Sequence, residues 1–377
     1  MTVSKLKVKS SLRSKLKKNI LVNTLTTIMQ KRISLIGNLG NADGCFNGQT
    51  VKTKIVTDEL IRYFGSNQVD IFNTSAGLKV LFTAPLIAFK AVKRSDDIVI
   101  LPAQNAVRVF VPLLVLLNLF FKSKRIHYVV IGGWLPSFLK NKPLLSYFLK
   151  KVYMIYAETH HVQSALEAKG FVGNITYMPN CKPLRIVDTD DLTDNFSQPY
   201  KICTFSRVWS QKGIAEAVDV VIKINQKYNR IVYHLDIYGQ VEAGEEEWFA
   251  NLQRKFPDYI KYGGLIAFDK SVDVLKSYFF LLFPTKYPGE GIPGTIIDAY
   301  AAGLPVVSSL YPNFAEIIEE GVTGLGYEFD NVDAFEKLLD KIACNPQIII
   351  NLKSNCVRRA KMFLPEKVLN ILIKNIQ

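Results

Sequence analysis

The chain has 377 residues, 49% hydrophobic, 11% aromatic and 21% charged, with a formal net charge of +14. This supports two ordinary domains with separate cores, at about 100–200 residues per domain, and excludes disorder over most of the length. Five widely spaced cysteines without a Cys-x-x-Cys pair exclude a disulfide framework and a zinc site, and fit a reducing compartment.

The charge is unevenly placed. Residues 1–180 hold 25 Lys and Arg against 8 Asp and Glu, and the remainder holds 22 against 25. A cationic excess confined to one half points to a polyanionic partner, namely a membrane surface, nucleic acid or a phosphorylated substrate; a solvated face that keeps the protein soluble is the plain alternative. In the basic N-terminal segment 1–31, Val8, Leu12, Leu16 and Ile20 recur every four residues among seven Lys and Arg. That is the pattern of a helix lying on a membrane, although a disordered tail fits the same residues. No signal-peptide h-region follows. The most apolar run, Val109–Phe121, is interrupted by Pro112 and Asn118 and falls short of the roughly 20 residues a span needs, so a buried core helix is predicted there.

From Arg32 a strand–turn–helix unit repeats. Strands are predicted at Arg32–Gly37, Val69–Phe72, Ile98–Leu101, Ile126–Ile131, Val152–Tyr156 and Ile175–Tyr177, with a polar Gly-rich loop at Asn38–Gly48 and a helix at Gln49–Phe64. Residues 183–199 read as a linker. The alternation then restarts, with strands at Lys201–Phe205, Val232–Tyr238, Ile260–Tyr262, Phe279–Phe283, Pro305–Val307 and Leu325–Tyr327. Helices are predicted at Gly213–Gln226, Glu245–Lys255, Pro293–Ala302 and Phe314–Glu320. Continuous apolar strands alternating with helices imply parallel sheets covered on both faces. The fold class is α/β: two Rossmann-like, doubly wound domains, 32–182 and 200–361, facing across a cleft where ligands bind beyond the strand ends. A final helix over about 362–377 packs back on the first domain in this scheme.

Two constellations carry chemistry. Arg207 and Lys212 follow a predicted strand and precede a helix, where cations and free N–H groups together suit a diphosphate; two solvated surface cations are the bland alternative. The second runs from Pro288 to Val307. Glu290 lies on a Gly-rich loop, and the next helix begins near Pro293 and contains Asp298. A carboxylate there can accept hydrogen bonds from sugar hydroxyls; a helix cap and a surface Asp are the alternative.

These stretches resemble retaining glycosyltransferases of family 4, which have the GT-B fold. Arg207 and Lys212 match that family's Arg…Lys-Gly pair, and Glu290 with Asp298 matches its E-x7-E motif, here E-x7-D. The following Ala-Tyr-Ala-Ala-Gly-Leu-Pro-Val and Asn313–Ile318 match as well. The resemblance implies that Arg207 and Lys212 hold the donor diphosphate, that Glu290 meets the donor sugar, and that Asp298 meets the ribose. Gly291, Ile292, Gly294 and Thr295 complete the implied donor site, with Glu290, Arg207 and Lys212 as the catalytic set. Gly44, Asn47 and Gly48 belong to a loop similar to the one that closes on phosphates and acceptor. Gly132-Gly133-Trp134 and Met178-Pro179-Asn180 are similar to members acting in bacterial surface polysaccharide synthesis.

The implied activity is retaining transfer from a nucleotide-diphosphate sugar to a membrane-lipid-linked glycan. No metal or cofactor is required, and the location is cytoplasmic, peripheral at the inner membrane face. Asp188-Thr189-Asp190 spells a metal-binding D-x-D but sits in the linker, and Gly37–Gly48 is no clean dinucleotide or P-loop motif. His160 and His161 read as surface residues at a helix start. A degenerate nucleotide-sugar-binding subunit is the rival from another class, suggested by the E-x7-D change. Nucleic-acid binding lacks any supporting motif.

Overall fold

The computed structural model describes residues 31–40, 48–75, 79–121, 124–193 and 195–377. The N-terminal segment 1–30, with its predicted surface helix, lies outside them. Twelve strands form two parallel sheets of six. The first contains β1 (Ile33–Gly37), β2 (Val69–Asn73), β3 (Asp97–Leu101), β4 (Arg125–Val129), β5 (Met154–Ala157) and β6 (Ile175–Tyr177), in the order β2-β1-β3-β4-β5-β6. The second contains β7 (Tyr200–Phe205), β8 (Tyr233–Tyr238), β9 (Ile260–Gly264), β10 (Leu281–Phe283), β11 (Val306–Ser309) and β12 (Gly324–Tyr327), in the order β12-β11-β10-β7-β8-β9.

Burial follows position in the sheet. β1, β3, β10 and β11 are buried at every residue, as strands covered on both faces must be, whereas the edge strands β2 and β9 alternate. Each order reverses once: between β1 and β3 in the first sheet, and between β7 and β10 in the second. At such a switch point the loops leaving neighbouring strands diverge to opposite faces and open a crevice.

Helices cover both faces of the first sheet. Lys79–Arg94 and Gln104–Asn118 pack on one side against Ile36, Ile98, Ile100 and Tyr128. Gly48–Phe64 covers the other side, and so does the C-terminus of the chain. Val368, Leu369, Leu372, Ile373 and Ile376 pack there with Ile33, Leu35, Val99 and Tyr156. The carbonyls ending the last helix accept from cations: Ile376 O and Asn375 O from Arg125, at 2.7 and 3.1 Å, and Ile376 O also from Lys31. Cations at a helix C-terminus satisfy orphan carbonyls and meet the negative end of its dipole.

The helix Gln104–Asn118 differs from the buried core helix predicted from its composition. Val107, Phe110, Val111 and Leu114 are buried, but Leu116, Leu119 and Phe120 face outward. The apolar run is longer than the face that can be covered. His127 is fully buried between Asp97 and Tyr156, 2.9 Å from each, so it bridges β3, β4 and β5 and serves the core.

Leu372 is fully buried. Leu372→Ala should destabilise the protein by about 2–5 kcal/mol, the cost of a core cavity. Urea unfolding monitored by circular dichroism measures it. An unchanged transition would mean that the C-terminal segment is not part of the first domain's core.

Candidate active site

The switch point of the second sheet brings two loops together. The loop after β7 carries Arg207 and Lys212 and ends in a short turn, Ser210–Lys212, before Gly213 and the helix Ile214–Lys227. Gly213 has φ 69°, and a Cβ there would collide with the carbonyl group of Pro284, just after β10. A glycine is therefore what lets the two loops touch. Lys286 N donates to Gln211 O at 2.8 Å across the same seam. The outcome is a direct contact between Lys212 Nζ and Glu290 Oε1, with each side chain only 10% exposed. Thr285 Oγ1 donates to the same carboxylate oxygen at 2.8 Å. Arg207 sits farther out, half exposed, and donates to Glu242 at 2.6 Å. Solvent weakens that pair.

The loop that carries Glu290 runs into the helix Gly294–Ala301. Its N-cap is Pro293, which offers no side-chain acceptor to the first-turn N–H groups. Thr295 Oγ1 donates to Phe205 O, tying this helix start to the end of β7. Asp298 faces inward, buried, with both oxygens 2.6 Å from Lys182 Nζ and Oδ1 3.1 Å from Ser271 Oγ. Burial pushes its carboxyl above the usual range, and Lys182 opposes that shift.

The first domain supplies the facing wall. Lys52, on Gly48–Phe64, pairs with Glu158 at 2.6 Å, both buried. Glu158 Oε1 accepts from Ile292 N at 2.9 Å, across the domain boundary. Asn180 Nδ2 donates to Ile292 O at 3.0 Å, and Gly133 N to Gly289 O at 3.3 Å. A Cβ on Gly291 would strike Glu158 and would lie 2.8 Å from Gly132 Cα. Glycine is required at 291 for the loop to lie this close to the opposite domain. Burial pushes the Cys181 thiol, also on the cleft wall, up to about 12, so it stays protonated and is no nucleophile.

The cleft, open to solvent on one side, has a volume of about 580 Å³. Arg207, Lys212, Glu290 and Asp298 line it, as do Gly291, Ile292, Gly294 and Thr295 from the Gly-rich loop and helix start. Gly48 lines the first-domain side, while Gly44 and Asn47 lie outside the described residues. His160 and His161 are exposed outside the cleft; His160 stacks on Tyr177 at 3.8 Å. Asp188 caps its own short turn. Glu158 and Lys182, outside every sequence motif, also line the cleft, as does Lys52 from the stretch 47–52 that resembles the phosphate and acceptor loop. The available signal was a charged residue directly after a buried strand, as Glu158 follows β5.

The family model Glycosyl transferases group 1 matches residues 199–345. The amylovoran biosynthesis glycosyltransferase AmsK of Erwinia amylovora is 31% identical over 137 residues, covering 35% of this chain and 33% of that protein. The chain spans 33% and 65% of the lengths of two curated relatives it matches. The Anabaena protein HepE, crystallised with UDP and glucose, superposes with a TM-score of 0.69 at 14% identity over 92% of this chain and 99% of that one. Sucrose-phosphate synthase from Thermosynechococcus elongatus gives 0.73 at 15% identity over 92% and 98%. The fold is GT-B, and the family-model match falls in the second domain.

Lys52→Met strands a buried carboxylate and should cost about 3–5 kcal/mol. Adding Glu158→Gln should recover part of that loss. A double-mutant cycle in urea reads the coupling; strictly additive losses would show that the two groups are independent.

Proposed function

We propose that the protein is a retaining glycosyltransferase. It takes a sugar from a nucleoside diphosphate donor and passes it to a hydroxyl of a lipid-linked glycan in bacterial polysaccharide synthesis. The observation that carries this is the contact of Lys212 with Glu290 at the sheet's switch point, inside a cleft shared by both domains. HepE, with the same fold, was crystallised with UDP-glucose, and AmsK is named as a glycosyltransferase of amylovoran biosynthesis.

Each cleft cation already has a carboxylate partner: Lys212 has Glu290, Arg207 has Glu242, Lys182 has Asp298 and Lys52 has Glu158. A diphosphate competes for Arg207, which is half exposed, and for Lys212 behind it. Once its oxygens take Lys212, Glu290 loses its counter-ion and turns to donor sugar hydroxyls, whose O–H groups it accepts. As the bond from the anomeric carbon to the diphosphate oxygen breaks, negative charge grows on the leaving group. Arg207, Lys212 and the uncapped N–H groups at Gly294–Ala301 meet it without reorganising. This charge is handled by side chains, so turnover needs no divalent metal. The acceptor hydroxyl enters from the first-domain wall, near Gly48 and Trp134, on the face that the diphosphate leaves; its oxygen bonds the anomeric carbon, its proton passes to the departing diphosphate oxygen, and the anomeric configuration is retained.

Asp298 meets the ribose only by sharing itself with Lys182. That shared carboxylate is the one feature favouring the rival, a subunit that binds nucleotide sugar without turnover.

One nucleoside diphosphate of a panel should raise the melting temperature of the wild type. Saturation a hundredfold above Kd adds about 2.7 kcal/mol. Arg207→Ala/Lys212→Ala should abolish the shift; no shift from any nucleotide in the wild type would sink the donor site. Glu290→Gln should keep nucleotide binding within a fewfold and lower kcat by about 100-fold. A rate unchanged in chelator, with product of retained configuration by NMR, is expected. Binding without turnover by the wild type selects the rival.

A further inference from the structure

The helices Lys79–Arg94 and Gln104–Asn118 lie side by side on the first sheet. Their inner sides fill the core; their outer sides are uncovered. On the first, Phe82, Leu86 and Phe89 stand at i, i+4 and i+7, a single stripe, exposed by 88%, 55% and 42%. At the end of the second, Leu119 and Phe120 are 74% and 84% exposed. Phe121 meets Phe89 edge-on at 5.9 Å, which joins the two stripes. The helix Pro143–Leu149 packs beside them and adds exposed Leu144 and Tyr147. Contiguous exposed apolar surface of this kind marks an interaction site.

The charge on this stretch is predominantly positive. Residues 79–153 contain twelve Lys and Arg and two Asp, and Asp97 is fully buried against Arg125 and His127. Lys90, Lys93 and Arg94 are exposed beside the Phe89 stripe, with Lys93 Nζ 6.0 Å from the Phe89 ring centroid. The surface also reaches the cleft. Trp134 lines the cleft and meets Phe138 edge-on at 5.2 Å, and Phe138 is flanked by Arg108 at 4.7 Å and Lys142 at 4.2 Å.

We infer that this face docks the protein on an anionic lipid bilayer, with Phe82, Leu86, Leu119 and Phe120 seated among the acyl chains and the surrounding cations on headgroup phosphates. Large apolar side chains rimmed mainly by cations, with Asp96 the exposed carboxylate of the stretch and paired with Lys124, are complementary to that surface. A second copy of the same face would bring like charges together. The inference deepens the lipid-linked acceptor proposed above and rests on it for its purpose: Trp134, Phe138 and Arg108 lead from the bilayer to the cleft, so an acceptor is reached without leaving the membrane.

The test uses the full chain as wild type, Phe82→Ser/Leu86→Ser/Phe120→Ser, and Lys90→Gln/Lys93→Gln. Each is sedimented with phosphatidylcholine vesicles, with and without phosphatidylglycerol. Wild type should bind only the anionic vesicles and release as salt rises. Each cation removed should cost about fivefold in partitioning, and the apolar triple at least about tenfold, with melting temperatures unchanged. A triple variant that sediments like wild type overturns the assignment. So does a wild type that ignores phosphatidylglycerol, or one that is a dimer which the triple variant makes monomeric. Nucleotide-induced thermal shifts, read in parallel, separate the two proposals: they report the donor site whether or not vesicles bind.

Discussion

The site depends on one steric constraint, the contact between the loops that follow β7 and β10. In a parallel sheet the strand order brings these two loops to the same edge, but it does not make them touch. Contact requires a residue without a side chain at the crossing, and Gly213 against the Pro284 carbonyl supplies it. With the crossing closed, Lys212 and Glu290 have little freedom except to face each other. A buried ammonium and a buried carboxylate each carry a large desolvation cost, so neither would be retained there alone. The pair is tolerable because it is mutual, and because Thr285 satisfies a further lone pair. Any ligand that takes the lysine must also leave the carboxylate something to accept from. A phosphorylated polyhydroxyl compound meets both demands, and a simple anion meets only one.

The same balance holds across the cleft with different stiffness. Lys182 with Asp298 and Lys52 with Glu158 are buried, whereas Arg207 with Glu242 is open to water. The inner pairs fix the wall, and the outer pair is the more weakly held. Asp298 illustrates the distinction. One methylene shorter than a glutamate, it is held from below by Lys182 and Ser271, while Lys182 in turn lies 4.3 Å from the Phe268 ring centroid. It lines the cleft, yet its partners are those of a structural acid.

Much of this was legible in the sequence because it is local. The strand–turn–helix alternation, the Gly-rich loop before Gly294 and the spacing of Glu290 to Asp298 are all short-range patterns, and the elements fall within a few residues of where periodicity puts them. Residues whose role depends on tertiary pairing were not legible. Nothing near Lys52 in the chain announces Glu158, and nothing near Asp298 announces Lys182. The apolar run in Gln104–Asn118 shows a subtler limit. Composition says that such residues avoid water, but only packing decides which of them find cover. Leu119 and Phe120 lie beyond the last turn that the sheet can shield.

The two domains are held together unlike either core. Across the cleft the contacts include backbone and side-chain hydrogen bonds: Ile292 N to Glu158, Asn180 to Ile292 O, Gly133 N to Gly289 O, and His161 N to Glu316 at 2.9 Å. Each has a net worth of about 1 kcal/mol, because water offers the same bond when the cleft opens. The covalent crossings lie elsewhere. The chain passes from the first domain to the second after Asn180 and returns near Phe363, and these crossings are joined by Lys182 N donating to Phe363 O at 3.0 Å. Two crossings tied at one point leave rotation about that point as the least costly relative motion, since it breaks polar contacts at the cleft without exposing either core. Lys182 carries both functions: its backbone ties the crossings, and its side chain holds Asp298 under the Gly-rich loop. Movement at the junction therefore reaches the second domain's cleft wall through Lys182.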